Sequence, residues 1–191
     1  MLQPSDLREA TAMLAAYENK EIMVLAGGTD IVPARRAGAI APNYLLDITG
    51  LNLNRIARIG NHLQIGAACT FKQIVDDPFC IMDYPDLCAA ARSIGAVQTR
   101  NLATIGGNVC SAVPSLDSAP PLLVHDGLFI LQSVDGARRV PAKDFFVGPR
   151  RTAKKSNEIL TEIILPYPSH GFRAGFIKFG RRNALTLSLV N

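Results

Sequence analysis

Two short stretches of the chain combine glycines with small polar side chains in the way an anion-binding backbone requires. LAGGTDI occupies residues 25–31, and TIGGN occupies residues 104–108. In the first, a short apolar run delivers Gly27, Gly28 and Thr29 to what reads as the start of a helix. Backbone N–H groups are presented there with no side chain in the way. A helix start also carries partial positive charge, so a phosphate is the natural guest. TIGGN follows the same logic. Its glycines let a ligand approach the backbone, while Thr104 and Asn108 supply hydrogen-bonding side chains. Each stretch also has a plain reading: GGT after a strand as a tight turn, and TIGGN as an irregular loop with Asp117 as the N-cap of the next helix. Neither stretch is the dinucleotide fingerprint GxGxxG or the phosphate loop GxxxxGK(S/T). Two such sites in one chain favour a dinucleotide, whose pyrophosphate can be gripped from both sides.

Other chemistry has less support. His62, His125 and His170 have no carboxylate or cysteine at ligand spacing and read as surface or turn residues. Cys69, Cys80, Cys88 and Cys110 form no CxxC pair. That argues against a zinc or iron–sulfur site and for reduced, mostly buried thiols in a cytoplasmic protein. No Ser-His-Asp arrangement stands out. Arg181 and Arg182 suit either a nicotinamide dinucleotide's phosphates or plain surface charge, and GPRRTAKK at 148–155 reads as a solvated loop or a place for a partner subunit to dock. The net charge of +4 is too dispersed to predict nucleic-acid binding. No apolar run approaches the roughly 18 residues of a membrane span, and the opening MLQPSDLREA does not read as a signal peptide. With 48% hydrophobic and 19% charged residues, the composition suits a globular domain with a proper core.

The elements that must position the two stretches follow from hydrophobic periodicity. Leu7, Ala10, Met13, Leu14 and Tyr17 predict an amphipathic helix over 6–18 with Ser5 as N-cap. A strand at 22–26, a short helix capped by Thr29 and ended by Gly38, and a strand at 44–48 make a right-handed parallel βαβ unit. Beyond residue 50 the pattern changes to a hairpin at 55–59 and 63–67 across Gly60-Asn61, then helices at 71–75 and 87–94 and another starting near Ser118. A second hairpin spans 128–134 and 138–140 around Asp135-Gly136, and strands follow at 159–165 and 172–179. The predicted class is α+β: a small parallel lobe over 1–52 and a larger, mainly antiparallel lobe over 53–178. The chain stops in LTLSLVN, which reads as an uncapped strand. It therefore looks like a fragment, with 179–191 the start of a further C-terminal domain.

In order along essentially the whole chain, four segments resemble the flavin-binding subunit or domain of the molybdenum hydroxylases. They are LAGGTDIV (25–32), RNLATIGGNVCSAVPSLDSAPPLL (100–123), EILTEIILP (158–166) and FIKFGRR (176–182). That group includes xanthine dehydrogenase and carbon monoxide dehydrogenase. The resemblance implies a two-lobed FAD-binding fold of the vanillyl-alcohol-oxidase type, with FAD between the lobes. It implies that Leu25, Ala26, Gly27, Gly28, Thr29, Asp30 and Ile31 hold the pyrophosphate from the first lobe. Thr99, Ala103, Thr104, Gly106, Gly107 and Asn108 would act from the second. Cys110 falls where the family places an apolar residue against the isoalloxazine face, a departure that a small thiol tolerates. Asp117 corresponds to a polar contact to the cofactor, Leu160 to an apolar residue near the opposite flavin face, and Lys178 to a cation near the ring's polar edge. Positive charge there favours the reduced anionic flavin. Without the resemblance, Lys178 reads as a solvated strand residue.

The same resemblance implies an oxidoreductase subunit without catalytic acid–base residues or metal ligands of its own. Its partners would be an iron–sulfur subunit and a molybdopterin subunit, with electrons leaving FAD for NAD⁺ or another acceptor. Two alternatives stand beside it. A stand-alone flavin-dependent reductase of the same fold would carry a GGGSN-like first loop, and a flavin-free assembly subunit would show broken glycine loops.

Overall fold

Helix α1 (Leu7–Ala16) buries Ala10, Thr11 and Leu14 along one side, as its apolar spacing predicts. The computed structural model describes residues 1–17, 20–181 and 187–191, so Glu18 at the predicted end of this helix lies outside the described residues. The N-cap is Asp6, one residue later than predicted. Its carboxylate accepts the Glu9 N–H at 2.8 Å, and Ser5 donates from its N–H and hydroxyl to the Glu9 carboxylate. Both polar residues thus serve the helix start, but the shorter reach to the free N–H belongs to aspartate.

Strands β1 (Ile22–Leu25) and β2 (Tyr44–Asp47) pair in parallel and are connected through α2 (Ile31–Arg36), which is the predicted βαβ unit. The N-cap of α2 is Asp30 rather than Thr29, and it makes no side-chain capping bond. On the other edge of β2, Leu2 donates to the Leu45 carbonyl and accepts from the Asp47 N–H, both at 2.8 Å. Ala10, Leu14, Leu46, Ile48, Leu51 and Ile159 form the buried cluster of this lobe.

The larger lobe opens with the hairpin β3 (Ile56–Ile59) and β4 (His62–Gly66), where Ile59 faces His62 across Gly60-Asn61. Six short helices follow: α3 (Phe71–Asp76), α4 (Pro78–Asp83), α5 (Pro85–Ser93), α6 (Val97–Leu102), α7 (Ile105–Ser111) and α8 (Ala119–Val124). Of these, α4, α6 and α7 escaped the periodicity reading. Helices of six or seven residues complete fewer than two turns and show no apolar stripe.

The hairpin β5 (Leu128–Ser133) and β6 (Gly136–Pro141) turns at Val134-Asp135, one residue earlier than predicted. Helix α9 (Ala142–Phe145), the ribbon β7 (Phe146–Gly148) with β8 (Arg151–Thr152), and β9 (Ile159–Pro166) complete the lobe. The antiparallel sheet runs β3-β4-β9-β5-β6, with β9 at its centre. Beyond it, β10 (Phe179–Gly180) pairs with β11 (Ser188–Val190).

Residues 172–178 form no strand, contrary to the alternation in FRAGFIKF. The segment cannot fold back onto β9 as a hairpin partner, because β9 already carries β4 on one side and β5 on the other. The segment instead runs over the helices as a strap pinned by individual side chains.

One buried charge ties the edge strand β6 to the start of the central strand β9. Glu158 is 3% exposed and accepts from Arg138 Nε at 2.5 Å and Nη2 at 2.9 Å, with the Lys155 N–H at 2.7 Å. Burial alone would raise the Glu158 pKa. The Arg138 guanidinium and the Lys155 N–H outweigh it and hold the carboxyl below its ordinary 4.5. A depressed carboxyl stabilises the fold above its unfolded value and loses that contribution as pH falls through its folded value. Thermal stability should therefore decline below pH 4.5, and Glu158→Gln should show a shallower acid decline in a Tm-against-pH series.

Candidate functional site

The chain leaves β1 through Ala26 and comes to rest on the junction between α6 and α7. A Cβ on Gly27 would lie 1.9 Å from the Leu102 carbonyl oxygen and 3.2 Å from the Ala103 Cα. The first glycine stretch therefore touches, backbone on backbone, the two residues that immediately precede the second. Gly28 follows at φ +70°, the left-handed region that favours glycine. Beyond it, the Val32 and Ala34 N–H groups return to the Gly28 and Asp30 carbonyls at 3.0 and 3.1 Å. Among the described residues, the N–H groups of Gly27, Gly28, Thr29, Asp30 and Ile31 meet no protein acceptor. Successive backbone donors turned by a left-handed residue form a concavity for an anion.

The second stretch is built differently. It is helix α7, and Thr104 is its N-cap, with its hydroxyl accepting the Gly107 N–H at 3.1 Å. The Ile105, Gly106 and Asn108 N–H groups go to Cys69 O, Ala67 O and Thr104 O at 2.9, 2.8 and 3.0 Å. These donors are engaged inside the protein, so an incoming group would meet side chains here: the Thr104 hydroxyl's own hydrogen, and Asn108, whose Oδ1 is fixed by Ser118 Oγ at 2.7 Å. Gly106 is required by packing, since a Cβ would lie 2.6 Å from both the Cβ and the carbonyl oxygen of Ala67. Gly107 is exposed. Thr99 lies half-buried on α6, and its carbonyl accepts the Ala103 N–H at 2.7 Å.

Asp117 and Lys178 meet each other. Lys178 Nζ donates to Asp117 Oδ2 at 2.5 Å and to the Ser93 carbonyl at 3.3 Å, and Asp117 Oδ1 also accepts from Ser188 Oγ and Asn191 Nδ2. The Lys178 and Asp117 side chains are 11% and 7% exposed, so Lys178 is no solvated strand residue. Asp117 is not an N-cap either: that position belongs to Ser118, which makes no side-chain capping bond.

Residues 1–168 match the family described as the FAD binding domain in molybdopterin dehydrogenase. The chain belongs to this family. It is 35% identical over 188 residues to the xanthine dehydrogenase FAD-binding subunit of Escherichia coli O157:H7, covering 96% of this chain and 63% of that subunit. It is 34% identical over 191 residues to the nicotinate dehydrogenase FAD-subunit of Eubacterium barkeri, covering 98% of this chain and 64% of that one. A chain in the structure of carbon monoxide dehydrogenase from Hydrogenophaga pseudoflava superposes with a TM-score of 0.93 at 29% identity, covering 97% of this chain and 65% of that chain. This chain thus spans a little under two thirds of the proteins it matches. The two-lobed fold implied by the sequence resemblance is the fold observed.

Around the glycine junction of this FAD-binding domain, the remaining predicted residues are dispersed. Leu160 lies on β9 at 4% exposure, inside the larger core and opposite Leu131. Arg181 is exposed, and Arg182 lies outside the described residues. His125 overturns its surface reading. It is 6% exposed, and its Nε2 sits 2.9 and 3.0 Å from the two Asp86 carboxylate oxygens. Asp86 is 39 residues away in sequence, so spacing along the chain carried no hint of the pair.

The four cysteines are free thiols. Cys69, Cys80 and Cys88 are buried in the larger core, and burial pushes the Cys69 thiol up to about 12 and the Cys88 thiol up to about 11. Cys110 is half-buried on α7; its thiol is pushed up to about 11 by desolvation, partly offset by Lys154. An exposed edge decides access, so a thiol reagent should modify Cys110 first in the native protein and reach the other three only on unfolding. Mass spectrometry after timed alkylation reads this directly.

Proposed function

We propose that this chain holds FAD across the junction of Gly27 with Leu102 and Ala103. It passes electrons from iron–sulfur clusters in a partner subunit, through FAD, to NAD⁺ or another acceptor. The observation that carries the reading is the run of five backbone donors from Gly27 to Ile31 without a protein acceptor among the described residues, set beside the glycine-lined start of α7. A pyrophosphate supplies the acceptors this concavity lacks.

The residues take complementary parts. Leu25 and Ala26 lead the chain off β1 into the concavity, and Gly28 turns it. Gly27, Thr29, Asp30 and Ile31 present their N–H groups to the pyrophosphate. Thr104 and Asn108 meet it from α7, while Gly107 keeps that face open, Gly106 seats α7 against Ala67, and Thr99 and Ala103 set the position of the junction. Cys110 flanks one face of the ring and Leu160 bounds the β9 side. Asp117 and Lys178 lie at the polar edge, where their paired charges govern the potential. FAD, when bound, supplies the isoalloxazine that takes up and releases electrons. The protein's part is to bind it, orient it and exclude water. Lobes over 1–52 and 53–178 enclose the cofactor between them, and a molybdopterin subunit and an iron–sulfur subunit assemble with the chain. The match to FAD subunits of xanthine and nicotinate dehydrogenases supports this reading. Among the described residues, no helix is long and apolar enough to cross a membrane.

The test is the visible spectrum of the purified chain, followed by identification of what heat releases. A flavin spectrum with FAD in the supernatant supports the reading. A colourless protein that takes up no FAD on reconstitution refutes it.

A further inference from the structure

Two helices flank Lys178, and each holds it by one end. Helix α5 ends at Ser93, whose carbonyl accepts from Lys178, and α8 begins just after Asp117, whose carboxylate accepts from the same ammonium. At their other ends the same helices are joined again. Asp86 stands in the first turn of α5 and His125 is the C-cap of α8, and their side chains are 3% and 2% exposed. The pair α5–α8 is therefore tied twice, by Asp86–His125 at one end and by Ser93–Lys178–Asp117 at the other.

His125 makes a further contact along the strap that carries Lys178. Its ring lies 5.2 Å from that of Phe172, and Tyr84 stacks edge-on from the α5 side at 4.9 Å. Tyr84 also donates to the Leu165 and Pro166 carbonyls at 3.0 Å, where β9 hands over to the strap. One histidine thus fixes both the spacing of the helices and the path of the strap. Buried polar pairs are often replaceable by apolar side chains of similar volume without loss of stability, so their presence here fits a positional requirement.

We propose that His125 and Asp86 are positioning residues for Lys178. Their hydrogen bond sets the separation of α5 and α8 so that Ser93 O and Asp117 grip the ammonium, and the His125 ring pins the strap at Phe172. The effect on the flavin rests on the FAD reading above; the placement of Lys178 does not.

The experiment uses the full chain and two readouts. His125→Phe keeps an aromatic ring against Phe172 but removes the bond to Asp86; His125→Gln keeps a donor. Acetylation of Lys178 by acetic anhydride is followed by mass spectrometry, with exposed Lys143 as internal reference. Labelling of Lys178 should rise several-fold in His125→Phe and return towards the native rate in His125→Gln, with Lys143 unchanged. In the FAD-loaded protein, the flavin midpoint potential should fall in His125→Phe and recover in His125→Gln, because the cation no longer stands at its place. Native labelling of Lys178 in a folded His125→Phe overturns the proposal. If that variant does not fold, Asp86→Leu, similar in volume and without an acceptor, carries the same test: raised labelling supports the proposal and native labelling overturns it. Raised labelling with an unmoved potential supports the positioning role and overturns the placement of Lys178 at the ring.

Discussion

Replacing Gly27 by alanine is expected to strip bound flavin from the chain and to lower its stability by about 3 kcal/mol, the upper part of the usual range for overpacking. The methyl carbon would stand 1.9 Å from the Leu102 carbonyl oxygen and 2.7 Å from its carbon, both backbone atoms. Neither can rotate away, so the first loop must lift off the α6–α7 junction. The five free donors from Gly27 to Ile31 move with it. For a domain of this size the loss corresponds to a fall of about 10 °C in Tm. Gly107→Ala is the matching control for stability, because its Cβ would meet only the Thr104 hydroxyl, at 2.9 Å. A side chain can turn aside, and the weakened cap costs about 1 kcal/mol. Flavin absorbance per chain and thermal denaturation measure both variants. Full flavin content and an unchanged Tm in Gly27→Ala would show that the close approach is idle.

Asp117→Ala is expected to be the most damaging change at a charged residue, at about 3 kcal/mol, since it leaves a buried cation without its anion. Lys178 would keep only the Ser93 carbonyl among the described residues. The reverse change is milder. In Lys178→Met, Asp117 still accepts from Ser188 and Asn191, and the cost should be about 1 kcal/mol. The double variant should recover part of the Asp117→Ala loss, because the orphaned ammonium is gone. Denaturant unfolding of the four proteins gives the coupling. Equal losses for the two single variants would contradict the asymmetry. Under the FAD reading, Lys178→Met also lowers the flavin potential.

Much of the framework was legible from local pattern. The elements of the βαβ unit, the hairpin at Gly60-Asn61 and the strand through Ile163 announce themselves locally, because alternation, apolar runs and turn residues act at short range. The free cysteines and the two glycine stretches were legible for the same reason. Helix α7 was not. Its sequence IGGNVCS has two glycines and no stripe, and it is helical because Thr104 caps it and Gly106 fits against Ala67. Strand alternation at 172–178 misled in the opposite direction, since pairing depends on a vacant edge that the sequence does not reveal.

By itself, then, the sequence determined most of the lobes' local elements, the two glycine stretches, and a flavin-binding family resemblance that the family match bears out. Tertiary structure alone decided that Gly27 lies on Leu102, that Asp117 reaches Lys178 across 61 residues, and that His125 is buried against Asp86 rather than exposed. The reason is physical. Turns and helix caps depend on a few neighbouring dihedrals, whereas the fate of a buried charge depends on which distant group the packed core brings within hydrogen-bond reach.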